Sequence, residues 1–268
     1  TVCLVFGFYP LVASHLPGML GGYGLSFIDT IGYVVFSNNG ILGIPTKVFG
    51  EILIAFLIFA GVLIASGAGK FFLNIAFALM GRFRGGPAKI SVVSSALFGT
   101  MSGSAISNVV ADGPITIPIM KRVGFSAEHA AAIETVTSTG GSLMPPVMGA
   151  VAFVMAEVLG IQYATICAAA AIPAILYYFG LLMQIDAYAA KANLKGLPKE
   201  EMPSLKKTLF EGWPFIVVIV FLFWGLLYLR WEQMAAFYGT AIMFLLSFFT
   251  KENKMTPKRT VEALINVG

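Results

Sequence analysis

Two short segments place glycine, proline and hydroxyl side chains inside apolar stretches long enough to lie within a membrane. They are Gly99-Thr-Met-Ser-Gly-Ser104 and Thr137-Ser-Thr-Gly-Gly-Ser-Leu-Met-Pro-Pro146. Irregular chain at membrane depth is tolerated only where it is buried in protein or lines a cavity, because lipid cannot satisfy backbone N–H and C=O groups. Secondary transporters build ion and substrate sites from broken helices of this kind. The two segments therefore predict a transporter core.

The composition indicates an integral membrane protein. Hydrophobic residues make up 58% of the chain and charged residues 11%, whereas a soluble domain carries about 25% charged residues. The net charge of +4 does not indicate a nucleic-acid partner, because the basic residues lie in loops and form no basic face. Cys3 and Cys167 each lie in an apolar segment, so we expect buried thiols and no disulfide or metal framework.

Both ends of the chain predict a fragment of a longer protein. Thr1 is followed at once by an apolar run, and residues 259–268 have the pattern of a helix start. About 20 apolar residues are needed to span the hydrocarbon of a membrane. On this criterion we expect several membrane-crossing segments, and residues 2–13 resemble the tail of the first. The others are 48–67, 161–183, 214–229 and 233–249.

Positive charge orients these segments. Residues 22–46 predict a non-cytoplasmic arm at the interface, 70–81 a short amphipathic helix, and 186–211 a polar loop. Placing the Lys- and Arg-rich regions in the cytoplasm satisfies the positive-inside rule at every connection. Those regions are 70–89, 121–122, 186–211 and 251–259, and the connections poor in basic residues are 22–46, 159–163 and 230–232.

This orientation predicts a re-entrant hairpin. Lys89 and Lys121-Arg122 fall on the same side, yet about 31 residues separate them and two crossings need about 40. The segment must enter, turn at Ser102-Gly103-Ser104, and leave on the face where it began. A second helix is expected from the N-cap Ser126 to about Ser138, to break at Thr139–Pro146 and to resume to Leu159. Both breaks then lie about 20 Å into the membrane.

The two breaks offer oxygen ligands without a fixed carboxylate. The ligands are carbonyls at the end of the first hairpin arm and at Thr139–Gly141, with the hydroxyls of Ser102, Ser104, Ser138 and Thr139. Such a set favours Na⁺ over Ca²⁺ or Mg²⁺, which normally recruit carboxylates.

Helix starts at the same depth offer donors. The N–H groups of a helix that begins near Ala105, with the Asn108 amide, suit an anionic substrate group. Pro145-Pro146 are expected in the first turn of the resumed helix, where proline sacrifices no needed donor. The alternative interpretation of Ser102-Gly103-Ser104 is a small-residue packing contact between helices.

The acidic residues leave alternatives open. Asp112 is a functional candidate as a carboxylate within the membrane, or it lies near the cytoplasmic side, solvated or paired with Lys121 or Arg122. Glu51, Glu134 and Glu157 lie near segment ends, so we expect them to snorkel or form ion pairs.

Soluble-enzyme motifs fail. Ser66-Gly-Ala-Gly-Lys70 lacks the upstream Gly and the Ser/Thr of a phosphate loop, and Ser204-Leu-Lys-Lys207 has no partner motif. No catalytic set is visible, so we expect no enzyme activity.

Four motifs resemble the large membrane subunit of tripartite ATP-independent periplasmic (TRAP) transporters. The likeness is closest to fused permeases that work with TAXI-type binding proteins, and strongest from Ser66 to Asp186. The motifs are Gly85-Gly-Pro-Ala-Lys89, Ser95-Ala-Leu-Phe-Gly-Thr-Met-Ser-Gly-Ser104, Ile117-Pro-Ile-Met-Lys-Arg-Val-Gly124 and Ser138-Thr-Gly-Gly-Ser-Leu-Met-Pro-Pro-Val-Met-Gly-Ala150.

The resemblance implies an all-α integral membrane protein: an elevator-type transporter repeat with a re-entrant helical hairpin and a broken transmembrane helix. It implies a sodium-driven importer of an organic anion. The protein would be a multi-pass protein of the cytoplasmic (inner) membrane of a bacterium or archaeon. A periplasmic solute-binding protein would deliver the substrate, and a small membrane subunit or its fused equivalent would complete the permease. Ion and substrate contacts would come from Ser102, Gly103, Ser104, Asn108, Ser138, Thr139, Gly140, Gly141 and Pro145.

The expected organisation has five parts. They are scaffold helices and the periplasmic arm in 1–69, the amphipathic helix in 70–87, the transport-domain hairpin and broken helix in 88–160, further spans in 161–250 around the loop 186–211, and the start of a second repeat in 251–268.

Two departures from the family pattern qualify the resemblance. Ala111-Asp112 replaces an expected hydroxyl-rich stretch after Asn108-Val-Val110, and the second inverted repeat is missing. Two alternatives stay open: an elevator sodium–anion transporter that needs no binding protein, and a non-transporting membrane scaffold that keeps the hairpin for packing.

Overall fold

The structure is a computed structural model that describes residues 2–38 and 40–247. Within those ranges the chain is helical and contains no β-strand, which confirms the predicted all-α class. The α-helices are α1 (Val2–Val12), α2 (Phe27–Ile31), α3 (Ile44–Val48), α4 (Ile54–Ala65), α5 (Ala68–Met80), α6 (Gly86–Ser102), α7 (Ala105–Val123), α8 (Ala127–Gly140), α9 (Ala150–Leu159), α10 (Tyr163–Lys191), α11 (Leu205–Glu211), α12 (Trp213–Phe223) and α13 (Ala235–Ser247).

Two helices in the described ranges are long and apolar enough to cross a membrane. One joins α3 and α4 through a π-helical turn into a single helix, Ile44–Ala65, of 22 residues, and the other is the 29-residue α10. A third crossing is available if Lys199–Glu211 and Trp213–Tyr228, which meet at 62°, act as one bent span. Of the predicted spans, 48–67 and 161–183 coincide with these long helices. The span predicted at 233–249 corresponds to the shorter α13, and residues 248 and 249 lie outside the described ranges.

Helices α6 and α7 form a helical hairpin whose turn lies at Ser102–Ser104, as the sequence predicts. Gly103 ends α6 in the left-handed region (φ +58°), and its N–H donates to the Gly99 carbonyl at 3.0 Å. The Ser104 side chain caps α7 by accepting the Ser107 N–H at 3.3 Å. A glycine C-cap followed at once by a serine N-cap lets the chain reverse without an intervening loop.

The second break is present but displaced toward the C-terminus. The predicted cap Ser126 starts α8 by accepting the His129 N–H, and the helix continues to Gly140. Residues 141–149 are irregular, and α9 starts after its N-cap Gly149.

The prediction that Pro145-Pro146 open the resumed helix is therefore wrong. A residue that precedes proline is pushed out of the helical region. Met148 then adopts a left-handed φ of 55°, so helix can start only after it.

Apolar clusters on two sides hold the hairpin. Phe72 of α5 meets Phe98 of α6 edge to face with ring centroids 6.2 Å apart, and Phe71 stacks on Phe215 of α12 at 5.1 Å. This cluster also includes buried residues of α4, α9 and α13. On the other side, Ala88, Val92 and Met120 of the hairpin pack with residues of α8 and α10. The hairpin is thus enclosed between two sets of helices.

The connections differ from the predicted ones in one place. The predicted loop 186–211 is shorter, because α10 continues to Lys191 and α11 occupies Leu205–Glu211. Residues 187–190 are rich in alanine, which favours helix continuation. The predicted start of a second repeat at 251–268 lies outside the described residues.

Candidate functional site

The hairpin turn and the irregular segment 141–149 contact each other directly. The Val147 N–H donates to the Thr100 carbonyl at 3.2 Å, which joins the end of α6 to the second break. A side chain on Gly99 would collide with the backbone of Gly141, and one on Gly103 with the Met148 carbonyl. The sequence places glycine where two backbones approach most closely, so the breaks form one junction.

Four helix termini converge at this junction. Helices α6 and α8 end there and α7 and α9 begin there, so carbonyl ends and N–H ends lie side by side. Carbonyl ends carry partial negative charge and N–H ends partial positive charge, each about half a unit. The arrangement can therefore attract a cation and an anion at neighbouring positions.

At the hairpin tip, both serines are half-buried and hydrogen-bonded locally. Ser102 Oγ accepts the Ser104 N–H at 3.4 Å, and Ser104 Oγ serves as the helix cap. The Ser104 carbonyl accepts the Asn108 N–H, and the Ser104 hydroxyl accepts the Ser107 N–H. The N–H groups of Ala105 and Ile106 are therefore the donors left for an anion at the start of α7.

The broken helix separates its predicted site residues. Ser138 is buried, with Oγ 3.5 Å from Glu134 Oε1, whereas Thr139 is exposed and donates to the Thr135 carbonyl on its own helix at 2.8 Å. Gly140 lies against the rings of Tyr177 and Tyr178. Pro145 lies half-buried in the irregular segment, after the turn.

The carbonyls of the broken helix were predicted to lack partners, but the turn supplies them. Thr139 O, Gly140 O and Gly141 O accept the N–H groups of residues 142, 143 and 144 in succession. Thr139 O also accepts the Ser142 hydroxyl at 2.8 Å, so only the Gly140 and Gly141 oxygens keep a second lone pair for a ligand.

Asn108 is fully buried beside Gly141. Its Nδ2 donates one N–H to the Ser95 carbonyl at 3.0 Å across the hairpin. The Oδ1 atom has no hydrogen-bond partner in the described residues. Since an amide NH2 group carries two donors, the side chain keeps one donor for the predicted anionic group and adds an acceptor.

Asp112 is also fully buried, which excludes the solvated alternative. Neither carboxyl oxygen has a hydrogen-bond partner within the described ranges, and Asp112 forms no ion pair there. Arg122, one of the two predicted partners, pairs with Glu201 instead, and Lys121 is exposed. Asp112 therefore remains the membrane carboxylate whose burial needs an explanation.

Glu134 is a buried site residue that the sequence pattern did not identify. It was expected to snorkel or form an ion pair, but its side chain is 1% exposed and is held by hydroxyl donors. Thr116 Oγ1 lies 2.5 Å and Ser91 Oγ 2.9 Å from its Oε2. The available signal was spacing: Ala130, Glu134, Thr137 and Ser138 recur at three and four residues and form the buried face of α8.

Ion pairs fasten the opposite end of the hairpin. Arg84 and Lys89 both donate to the Asp186 carboxylate on α10. The hydrogen bond from Arg84 to Asp186 and the negative charge of Asp186 raise the pKa of Arg84, which lies in the turn before α6. The Lys89 side chain is 11% exposed, so this contact is partly shielded from solvent. The hairpin base is thereby anchored to the long helix α10.

The geometry defines an all-helical protein with a helical hairpin packed against a broken helix, as in secondary transporters. The family described as "Tripartite ATP-independent periplasmic transporter, DctM component" matches residues 4–268. The chain belongs to this family of membrane transporter permeases, which is a family of transporters rather than enzymes.

Relatives whose names state a function support the family assignment. The C4-dicarboxylate TRAP transporter large permease protein DctM of Vibrio cholerae is 32% identical over 63% of this chain and 37% of its own length. The protein of the same name from Rhodobacter capsulatus is 33% identical over 53% of this chain and 34% of its length. The sialic acid TRAP transporter large permease protein SiaM of Vibrio cholerae is 25% identical over 82% and 53%.

The chain spans between about a third and a half of the length of the curated relatives it matches. Those whole proteins therefore contain long stretches of sequence that this chain does not match.

Proposed function

We propose that this chain forms part of the permease of a sodium-coupled secondary transporter that imports a small organic anion. The observation that carries the proposal is the junction of two broken helices, joined by the Val147–Thr100 hydrogen bond. Membrane proteins keep irregular backbone at depth where it lines a binding cavity. Membership of the TRAP permease family supports the same reading.

The proposed sodium site lies where α6 and α8 end. Ser102 and Ser104 would contribute hydroxyls from the re-entrant hairpin tip, and the segment Ser138–Gly141 would contribute carbonyl oxygens, since the Ser138 and Thr139 hydroxyls face different surroundings. Two helix C-termini favour a cation there. The neutral oxygen set suits a monovalent ion.

The proposed substrate site lies beside it, where α7 and α9 begin. The N–H groups at the start of α7 would bind a carboxylate, since helix N-termini are ready-made anion sites. The names of the relatives give C4-dicarboxylate and sialic acid, which supports an organic acid as substrate. Asn108, Gly141 and Pro145 line the boundary between the two sites.

The proposal includes partners and a location. A periplasmic solute-binding protein would deliver the anion, and a small membrane subunit, separate or fused, would complete the permease in the cytoplasmic membrane. The hairpin and broken helix would move as an elevator-like transport domain. The family name and the relatives' names support this assembly.

The test is substrate uptake by the complete transporter in proteoliposomes, with and without its binding protein. The double variant Ser102→Ala, Ser104→Ala removes two oxygen ligands, so the sodium concentration for half-maximal uptake should rise by about tenfold or more. Ser104→Thr keeps both the hydroxyl and the helix cap and should retain the wild-type sodium response. Ser204→Ala, which removes an exposed hydroxyl that caps nothing, is the matched control.

The outcomes distinguish the alternatives. Sodium-driven uptake that needs no binding protein would indicate the independent elevator transporter. Absence of uptake by the complete, correctly assembled protein would indicate a scaffold. A double variant with unchanged sodium response would remove the hairpin tip from the site.

A further inference from the structure

We propose that Asp112, Asn108, Ser94 and Ser95 form a second monovalent-cation site, inside the hairpin and separate from its tip. The site lies between α6 and α7, and its ligands would be one carboxylate, one amide oxygen and two hydroxyls. This inference rests on the proposed function only for the identity of the ion, Na⁺.

The first support is a concentration of buried oxygens without partners. Seven buried side-chain oxygens in the described residues have no hydrogen-bond partner, and five of them belong to these four side chains. All four residues are 0% exposed. Buried polar groups are normally satisfied, and a buried charge is normally paired, so five such atoms on facing helices of one hairpin point to a ligand.

The second support is that residues of α7 meet residues of α6 across the hairpin, Asn108 at the Ser95 backbone and Asp112 at Ser94. Asn108 and Asp112 are four residues apart and share one face of α7. Asn108 Nδ2 donates to the Ser95 carbonyl at 3.0 Å, which brings its side chain onto α6. Ser94 is the hydroxyl that faces the Asp112 carboxyl. The donor side of Asn108 is fixed by Ser95, so its Oδ1 is held in place as a potential ligand.

The third support is the contrast with neighbouring hydroxyls. Thr100 donates to the Leu97 carbonyl at 2.7 Å, and Thr116 contacts the Asp112 carbonyl at 3.0 Å. Helical serine and threonine commonly satisfy themselves in this way. Ser94 and Ser95 do not, although they lie on the same hairpin, so their oxygens stay available.

The donor set selects a monovalent cation over the other candidates. All the ligands are hard oxygens and only one is charged, so a single positive charge leaves the site neutral, whereas divalent cations normally recruit more carboxylates. Glu134, the second carboxylate nearby, already accepts hydrogen bonds from Ser91 and Thr116. A proton on Asp112 would satisfy the carboxyl and one acceptor, and would leave the remaining oxygens unmatched.

The test measures thermal unfolding of the complete purified protein while NaCl replaces choline chloride at constant ionic strength. Asp112→Asn removes the charge with little change in size. In choline alone this variant should unfold at a higher temperature than wild type, because no charge is buried. In Na⁺ the order should reverse, since the half-stabilising sodium concentration of the variant rises by about tenfold or more.

Further variants control for effects unrelated to the ion. Ser94→Ala exchanges one neutral side chain for another and should raise the half-stabilising sodium concentration without raising stability in choline. Glu200→Gln removes an exposed carboxylate and should match wild type in both salts. Asp112→Asn combined with Ser102→Ala, Ser104→Ala should lose more of the sodium response than either change alone.

Three results would overturn the inference. The first is a wild-type unfolding temperature that does not change with Na⁺. The second is a wild-type sodium response in the Asp112→Asn variant. The third is an Asp112→Asn variant that loses a pH dependence of the unfolding temperature while its sodium dependence persists. The last result would assign a proton to Asp112. Failure of the proposed function has a different signature: uptake would not need Na⁺, while the effect of Asp112→Asn on thermal unfolding would remain.

Discussion

At the residue scale, the junction depends on missing side chains as much as on those present. Gly99 packs against the Gly141 backbone, and Gly103 combines a left-handed backbone with contact to the Met148 carbonyl. Only glycine meets both requirements at Gly103, because other residues avoid positive φ and carry a Cβ. Because the two backbones touch, carbonyls of the hairpin turn and of the second break could bind the same proposed Na⁺.

Gly99→Ala tests this close approach. The added methyl would meet the Cα and carbonyl of Gly141, and overpacking of this kind costs about 1–3 kcal/mol. We expect a lower unfolding temperature and impaired uptake. Gly180→Ala is the matched control, because its Cβ would meet no atom within 4 Å. In a helix this control should be neutral or stabilising by about 0.5–1 kcal/mol, and equal effects of the two variants would contradict the junction.

Individual polar residues were the hardest features to predict from the sequence. The pattern identifies Asn108 and Asp112 as candidates, but it does not show that the amide donor is used by Ser95 or that Asp112 lacks a basic partner. Those facts depend on which helices pack together. Glu134 was misjudged because distance from a segment end is a poor guide to burial once other helices surround that end.

At the element scale, the helix boundaries follow from capping residues. Ser104 and Ser126 each accept an N–H three residues ahead, and Gly103 and Gly124 end the preceding helices with positive φ. Such signals are local, which is why the sequence could predict the hairpin turn and the start of α8. The restart of the broken helix lies later than predicted because residues before the prolines avoid the helical region and Met148 then adopts a left-handed φ.

Ser126→Ala tests the cap of α8. Loss of a serine cap costs about 1 kcal/mol, and the first turn of α8 should fray while the rest of α8 and the hairpin stay intact. Hydrogen exchange of the His129 amide, which donates to Ser126 Oγ at 3.3 Å, should become faster. Ser126→Asp keeps an acceptor at the cap and should preserve protection. Unchanged exchange in the alanine variant would show that the cap does not hold this turn.

At the scale of the whole molecule, the hairpin is anchored at its base as well as at its tip. Asp186 of α10 accepts hydrogen bonds from Arg84 and Lys89 at the hairpin base, and Glu201 pairs with Arg122 where α7 ends. These contacts span long stretches of sequence and join the hairpin to α10 and to the connection before α11. Relative motion of the hairpin and α10 would therefore require several ion pairs to break.

Asp186→Asn tests this anchor. The change leaves the Lys89 ammonium, whose side chain is 11% exposed, without its counter-charge, so we expect a loss of about 1–3 kcal/mol. The measurement is thermal unfolding of the complete protein at low and high salt. Glu211→Gln is the control, because its partner Lys207 is exposed and 3.7 Å away, and such pairs contribute about 0.5 kcal/mol or less. Comparable losses in both variants would exclude a structural role for Asp186.

Composition and the paired breaks were enough to predict an all-helical membrane protein, and the family followed from the resemblance of four motifs. These properties are averages over many residues, so single errors do not change them. Helix lengths were less certain: α10 extends beyond its apolar core to Lys191, since alanine continues the helix after hydropathy falls.

The bond between Val147 and Thr100 has a mechanical consequence. A single hydrogen bond contributes only about 0.5–1.5 kcal/mol, so the close backbone contacts at Gly99 and Gly103 share in holding the two breaks together. The carbonyl ends of α6 and α8 lie beside the N–H ends of α7 and α9, so their opposite partial charges partly offset one another. In the proposed elevator motion both breaks would move as one unit, and this offset would lower the cost of exposing them to lipid.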